Sequence, residues 1–259
     1  MDLGIKGRNA IVCASSRGLG KGCALALAEA GVNLTLNGRD EKVLARTAAE
    51  IRDSFGVDVR EIHGDVSDPG VQKALLAASP ATDILVNNNG GPPPRPFKEL
   101  DRQAIIDGVT SNMITPVELI QAVIDGMSER GFGRIVNITS LSVYQSIPGL
   151  DLSSGARAGL TSMIFGPART VVGRNVTINN LLPGKLDTDR IRTTQEFGAK
   201  KAGKSVEEYA ASQAGEIPAG RLGTAAEFGQ ICAFLCSVHA GYLTGQNIKV
   251  DGGLYSSAF

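Results

Sequence analysis

The densest chemistry in the sequence lies near its start, in Ala14-Ser15-Ser16-Arg17-Gly18-Leu19-Gly20. Small side chains let a backbone bend sharply after a strand and bring successive amides up to a phosphate. The charge then rests on the N-terminus of the helix that follows. Ala14, Ser16, Arg17, Gly18, Leu19 and Gly20 are placed to line such a bend. About 20 residues beyond it, a strand that binds an adenosine ribose through free hydroxyls ends in an acid. Here that strand ends Leu36-Asn37-Gly38-Arg39-Asp40, so neutral Asn37 takes the place of the acid. Arg39 follows it, and Arg17 sits inside the bend. Two guanidinium groups around a ribose suit a 2′-phosphate, which they grip through charge-assisted forks. The expected ligand is NADP(H) rather than NAD(H). Asp40 reads as the N-cap of the next helix.

Such a bend needs a sheet to hold it, and strand-length apolar runs alternate with helical periodicity along the chain. Residues 9–14 read as a strand, 18–30 as a helix stopped by Gly31, and 32–36 as a second strand. Then come a helix over 41–55, a strand over 58–63, a helix over 69–78 and a strand over 83–86. One long helix is predicted over 102–129, a strand over 134–138 and another long helix over 153–172. A strand over 176–181, a helix over 225–237 and a strand over 247–250 complete the pattern. Strands separated by helices of about 10 residues or more predict right-handed βαβ units and a parallel sheet. Ile84-Leu85-Val86 and Ile135-Val136 are continuous apolar runs, as expected of strands covered on both faces. No Pro/Gly/Ser linker divides the chain. The predicted fold is a single-domain, doubly wound parallel α/β sheet of the Rossmann kind, with helices on both faces. Residues 185–217 are polar, charged and only partly helical in pattern, which reads as a mobile substrate lid over the crevice at the strand C-termini, with a plain surface helix as the alternative.

Composition excludes several functions. Lysine plus arginine equal aspartate plus glutamate at 26 each, so no global charge draws the chain to nucleic acid or an anionic membrane. No apolar run approaches the ~18 residues of a membrane span. The first residues show neither a basic flank with an apolar stretch nor a cleavage site, and a cytoplasmic location is expected. Cys13, Cys23, Cys232 and Cys236 fit no metal spacing and read as buried thiols behaving as small hydrophobes. His63 and His239 have no ligand-type neighbours, so no metal site is expected.

The order of motifs resembles the short-chain dehydrogenase/reductase superfamily, in particular its 3-oxoacyl-(acyl-carrier-protein) reductases, over nearly the whole chain. The first bend is similar to that family's TGxxxGxG, with Cys13 and Ala14 replacing Thr and Gly. His63-Gly64-Asp65-Val66-Ser67 resembles the segment whose Asp65 side chain and Val66 amide would hold adenine. Asn87-Asn88-Asn89-Gly90 resembles NNAG, so Asn88, Asn89 and Gly90 would lie under the adenine ribose. Asn112 falls where the family has its active-site Asn. Pro183 and Gly184 match the turn beside nicotinamide, and Thr188 the hydroxyl that meets its carboxamide. Arg221-Leu222-Gly223 and Tyr242-Leu243-Thr244-Gly245-Gln246 resemble C-terminal signatures. The resemblance also implies a homotetramer or dimer packed through the long helices and the C-terminal region.

One part of the family pattern is absent. Ile135-Val136-Asn137-Ile138-Thr139-Ser140 resembles the strand that delivers the catalytic Ser, and Ser140 takes its place. Counting on in register, the family Tyr and Lys fall at Ser153 and Arg157. In the family the Tyr gives a proton to the forming alkoxide, while the Lys holds the nicotinamide ribose and lowers the Tyr pKa. Arg157 can bind vicinal hydroxyls and stabilise a developing negative charge, but it stays charged and gives up no proton. Ser153 is a far weaker acid than a phenol. Tyr144, just beyond Ser140, is the candidate replacement donor, with an aromatic packed under the lid as the alternative. Asp151 and Asp187 are further ionisable residues nearby, better read as solvated. The Pro-rich run Gly91-Pro92-Pro93-Pro94-Arg95-Pro96 reads as a stiff pocket wall or a surface loop. The expected activity is NADPH-dependent reduction of a small carbonyl or imine. A binding protein that keeps the dinucleotide site but turns little over is the alternative.

Overall fold

The computed structural model describes residues 1–91 and 94–258. Among these, β1 (Asn9–Val12), β2 (Asn33–Gly38), β3 (Val59–His63), β4 (Ile84–Asn87), β5 (Gly133–Ile138), β6 (Val176–Pro183) and β7 (Asn247–Val250) form one sheet. Their order is β3-β2-β1-β4-β5-β6-β7, with every neighbouring pair parallel. The chain starts in the middle, winds outward through β2 and β3, returns to β4 and winds the other way. The reversal falls between β1 and β4, where strand C-termini leave a crevice for a ligand.

Helices α1 (Gly18–Glu29), α2 (Glu41–Phe55), α3 (Pro69–Ala78), α4 (Arg102–Val109), α5 (Thr115–Glu129), α6 (Asp151–Val171), α7 (Asp189–Ala202), α8 (Val206–Gly215) and α9 (Ala225–Cys236) connect or follow the strands. Alternation along each strand sends side chains to two apolar layers. Ala10, Val12, Ile84 and Val86 pack with Leu27, Leu44 and Phe228 of α1, α2 and α9. Ile11, Leu85 and Ile135 pack with Leu75, Leu119 and Leu160 of α3, α5 and α6. All four cysteines are buried and free. Burial pushes the Cys13 thiol up to about 12. Cys232 and Cys236 lie well above their ordinary value through hydrogen bonding to neighbouring thiols and burial. Such thiols behave as small hydrophobes. No helix among the described residues is long and apolar enough to cross a membrane.

Two elements differ from their sequence expectation. The long helix predicted over 102–129 is broken into α4 and α5 by a π-turn at Thr110–Ile114. Pro116 causes the opening: it has no N–H to return to the carbonyl of Asn112 four residues earlier. The stretch at 185–217 is mostly helical, not partly so, because it holds α7 and α8. Gly203 ends α7 in the left-handed conformation, and Ser205 and Glu208 form a reciprocal capping box that starts α8.

Candidate active site

The site is built first by the bend after β1. Ser15 Oγ donates to the Val12 carbonyl (2.7 Å), and the Ser15 amide donates to the Asn37 carbonyl (2.7 Å). The Asn37 side chain joins three strand ends: it accepts from the Ala14 amide (3.1 Å) and donates to Ile62 (3.1 Å) and Gly64 (3.0 Å). Asn37 lines the cavity but spends its amide on main chain, and it brings no charge to the wall. Gly20 is required: a Cβ there would stand 2.3 Å from the Ala14 carbonyl oxygen and 2.8 Å from Asn88 Nδ2. Ala14 itself has φ +44°, a left-handed conformation in which a Cβ is strained. Arg17 caps α1 without a side-chain bond to its amides, and its first turn holds no acid. Those amides are therefore open to an anion.

Ala14, Ser16, Arg17, Gly18 and Leu19 line one end of a cavity of about 1000 Å³ that runs along the C-terminal edge of the sheet. Arg39, Asp65, Val66, Asn88, Asn89 and Gly90 line it too, as do Pro183, Gly184 and Thr188. Arg17 and Arg39 stand exposed at its rim. Arg17 pairs loosely with Asp40 (3.4 Å) and Asp189 (4.0 Å), and Arg39 with Asp65 (4.0 Å). Exposed pairs of this kind contribute little, so a phosphate displaces them readily. Asp40 also caps α2 by accepting from the Val43 amide (3.1 Å), as its sequence position predicts. A pyrophosphate bend, two rim guanidiniums and a long cavity fit a phosphorylated dinucleotide.

Ser140, Ser153 and Arg157 also line the cavity. Ser140 stands beyond the end of β5, its Oγ accepting from the Ser142 amide (3.1 Å). Ser153 and Arg157, one turn apart on α6, are nine-tenths buried, as is Asn112 in the π-turn. They form a connected chain: Arg157 Nε donates to Ser153 Oγ (2.9 Å), and Ser153 Oγ donates to Asn112 Oδ1 (3.2 Å). Asn112 Nδ2 donates to the Gly90 carbonyl (3.4 Å). Arg157 also donates to the carbonyls of Ile138 and Asn89. The guanidinium is thus fixed against β5 and the segment after β4, as a fixed charge in the cavity wall. The Ser153 proton is committed to Asn112.

The expectation for Tyr144 is corrected. Its phenol does not enter the cavity: it accepts from Asn247 Nδ2 (2.9 Å), and its ring lies 5.5 Å from that of Tyr255. The chain turns through a single 3-10 turn at Leu141–Val143, which directs Tyr144 toward β7. Asp151 opens α6 exposed to solvent, and Asp187 pairs with Arg192 (3.0 Å). Neither belongs to the cavity wall. Of the Pro-rich run, Pro94 lines the cavity and the Arg95 amide donates to Gly149 (3.1 Å), while Pro92 and Pro93 lie outside the described residues. Among the described residues no group of His, Cys, Asp and Glu could hold a metal.

Sequence reading missed Lys185, Gln145 and Glu216, which also line the cavity. Lys185 Nζ lies 2.6 Å from Glu216 Oε2. Its position after Pro183-Gly184 was the available signal, since a side chain there follows a strand end that opens on the crevice.

A family model described as enoyl-(acyl carrier protein) reductase matches residues 13–255. The 3-oxoacyl-(acyl-carrier-protein) reductase of Vibrio cholerae serotype O1 is 30% identical over 257 residues, 98% of this chain and 99% of that one. The same figures hold for its counterpart in Escherichia coli K12. Among solved structures, L-sorbose reductase from Gluconobacter frateurii, complexed with NADPH and L-sorbose, superposes with a TM-score of 0.94 at 28% identity. It covers 99% of this chain and 100% of that one. YwfH, an NADPH-dependent reductase involved in bacilysin biosynthesis, superposes with a TM-score of 0.91 at 28% identity, covering 97% and 100%. The chain belongs to the short-chain dehydrogenase/reductase superfamily and is 3-oxoacyl-(acyl-carrier-protein) reductase-like.

Proposed function

We propose that the chain uses NADPH to reduce a small carbonyl or imine, with an arginine where its relatives' motif has lysine. The observation that carries this is the single cavity joining the uncapped N-terminus of α1, with Arg17 and Arg39 at its rim, to Ser140, Ser153 and Arg157. The neighbours that superpose on it include enzymes described with NADPH or NADP bound. The first bend and α1 hold the pyrophosphate, and Arg17 and Arg39 hold the 2′-phosphate. Asp65 and Val66 border adenine, Asn88, Asn89 and Gly90 its ribose, and Pro183, Gly184 and Thr188 the nicotinamide. When bound, the reduced nicotinamide supplies a hydride.

Arg157 holds vicinal ribose hydroxyls and places a permanent positive charge where a substrate oxygen gains negative charge. Ser140 donates a hydrogen bond to that oxygen. Asn112 and Ser153 hold Arg157 in place rather than move a proton. A protonated imine needs no strong acid from the protein, so imines belong beside ketones as substrates. The exposed Ile105, Ile106, Met163 and Phe165 on α4 and α6 suit assembly as a homotetramer or dimer, which light scattering distinguishes directly. Incubation with NADPH and a panel of ketones, aldehydes and cyclic imines tests the reading: absorbance loss with at least one is expected. Tight NADPH binding with no consumption beyond the blank would leave a sensor or scaffold instead.

A further inference from the structure

We infer that Gln213 selects the substrate of this cavity: the compound reduced here carries a hydroxyl or N–H group apart from its reacting carbon, and that group donates to Gln213 Oε1. This substrate class deepens the reductase reading above and rests on it. The residues assigned to the dinucleotide make only part of the cavity wall. The wall continues with Leu141, Ile147 and Leu150 from the segment after β5, Ile191 from α7 and Leu254 from the chain after β7. All five side chains are apolar. A wall of this kind binds by shape and fixes the orientation of its ligand through a few polar groups.

Gln213 lines the same wall, and the state of its amide sets it apart. Its Oε1 is shut off from solvent and accepts no hydrogen bond. Other buried side-chain atoms among the described residues also lack partners, but none of them belongs to a residue lining this cavity. An acceptor withdrawn from water with no donor in return is costly, and the cost falls away once a donor reaches it. The last torsion of a glutamine side chain is broad, so a small rotation turns Oε1 into the cavity that the residue already lines. A donor brought by the substrate then completes the amide.

The fold holds the residue in place. Ser205 and Glu208 start α8 with their capping box, and Gln213 lies in its last turn. Beyond the helix Ile217 is buried, and the Ala219 amide donates to the Gly252 carbonyl (3.0 Å). That bond ties the end of the lid segment to the turn leading into Leu254, so Gln213 and Leu254 share one wall. Lys185 and Glu216 line it as well, but each is matched by the other at 2.6 Å. A site with a buried acceptor discriminates strongly, because a compound without the donor leaves that acceptor unpaired.

Steady-state kinetics with NADPH and paired ketones test the assignment: the positional hydroxycyclohexanones, each against the methylcyclohexanone of the same shape. In the wild type at least one hydroxyl compound is expected to exceed its methyl partner in kcat/KM by about tenfold or more. Gln213→Met keeps the length of the side chain and its helix propensity but removes the amide oxygen. In that variant the preference should fall below about twofold. The ratio within a pair is internal to one preparation, so a general loss of activity or of folded protein cancels from it. Equal kcat/KM across every pair in the wild type, as a water held on Oε1 would give, would overturn the inference and leave the reductase reading standing. A preference that survives in Gln213→Met would do the same. No consumption of NADPH with these pairs or with the wider panel would overturn the reductase reading itself. The same pairs titrated by calorimetry into the NADP⁺-loaded chain then read the preference as binding, and equal affinities there would overturn it.

Discussion

At the scale of single residues, the arginine at 157 is paired with a local accommodation. Arg157 stands where the resemblance places lysine, and its larger planar head is met by Ser153, Ile138 and Asn89 around it. A tyrosine at 153 would fill the space into which Arg157 Nε donates, so the serine and the arginine fit as a pair. Ala14 has no such accommodation. It holds φ +44° where the family pattern has glycine. A non-glycine residue in that region costs about 1–2 kcal/mol. Ala14→Gly is therefore expected to stabilise the chain by about 1 kcal/mol, a rise of roughly 2–4 °C in Tm by thermal melting. A lower Tm would mean that the methyl group packs usefully at the bend. Asn37 shows what residue types alone reveal. Its neutrality, legible in the sequence, predicts a slot without an acid, but its three backbone bonds come from strands far apart in sequence.

Among the elements, the sheet and its helices were legible because alternating apolar runs and helical periodicity are strong local signals. Helices α2 and α3 match their predicted spans, α6 begins at Asp151 rather than 153, and β6 runs on to Pro183. The π-turn around Asn112 was not read, although Pro116 marks it: periodicity on either side is helical, and the break shifts register without changing composition. The helices of the lid segment were underestimated because their polar sequence gives little apolar stripe. Tyr144 was misplaced because the direction of a loop side chain depends on its tertiary partners, here Asn247 and Tyr255.

The start of α9 carries a pH prediction at the same scale. Thr224 and Glu227 form a capping box, and Arg221 forks onto Glu227 at 2.6 and 2.9 Å. The hydrogen bonds from Arg221, then those from Thr224, hold the Glu227 carboxyl at about 2. A carboxyl depressed by folding stabilises the native state above its unfolded value near 4.3, and that contribution fades as the pH falls toward the folded one. Glu227→Gln is thus expected to melt below the wild type near neutral pH, with the two curves converging as the pH falls to about 2. A gap that persists unchanged into acid would contradict the assignment.

For the molecule as a whole, balanced charge and a doubly wound sheet leave one long crevice to carry function, and nearly every dinucleotide-binding residue read from the sequence lines it. The cofactor half was legible because its motifs are contiguous stretches at strand ends. The catalytic half was less so, because Arg157, Ser153, Asn112 and Gly90 form their connected chain only when α6, the π-turn and the segment after β4 come together. The central claim is that this crevice takes a 2′-phosphorylated dinucleotide through Arg17 and Arg39. Titration calorimetry of the intact chain with NADPH and with NADH tests it most directly. Charge-assisted bonds to the extra phosphate predict binding of NADPH at least about tenfold tighter, and a double Arg17→Ala, Arg39→Ala variant that no longer distinguishes the two. Equal affinities in the unmutated chain, or no heat with either dinucleotide, would contradict the account.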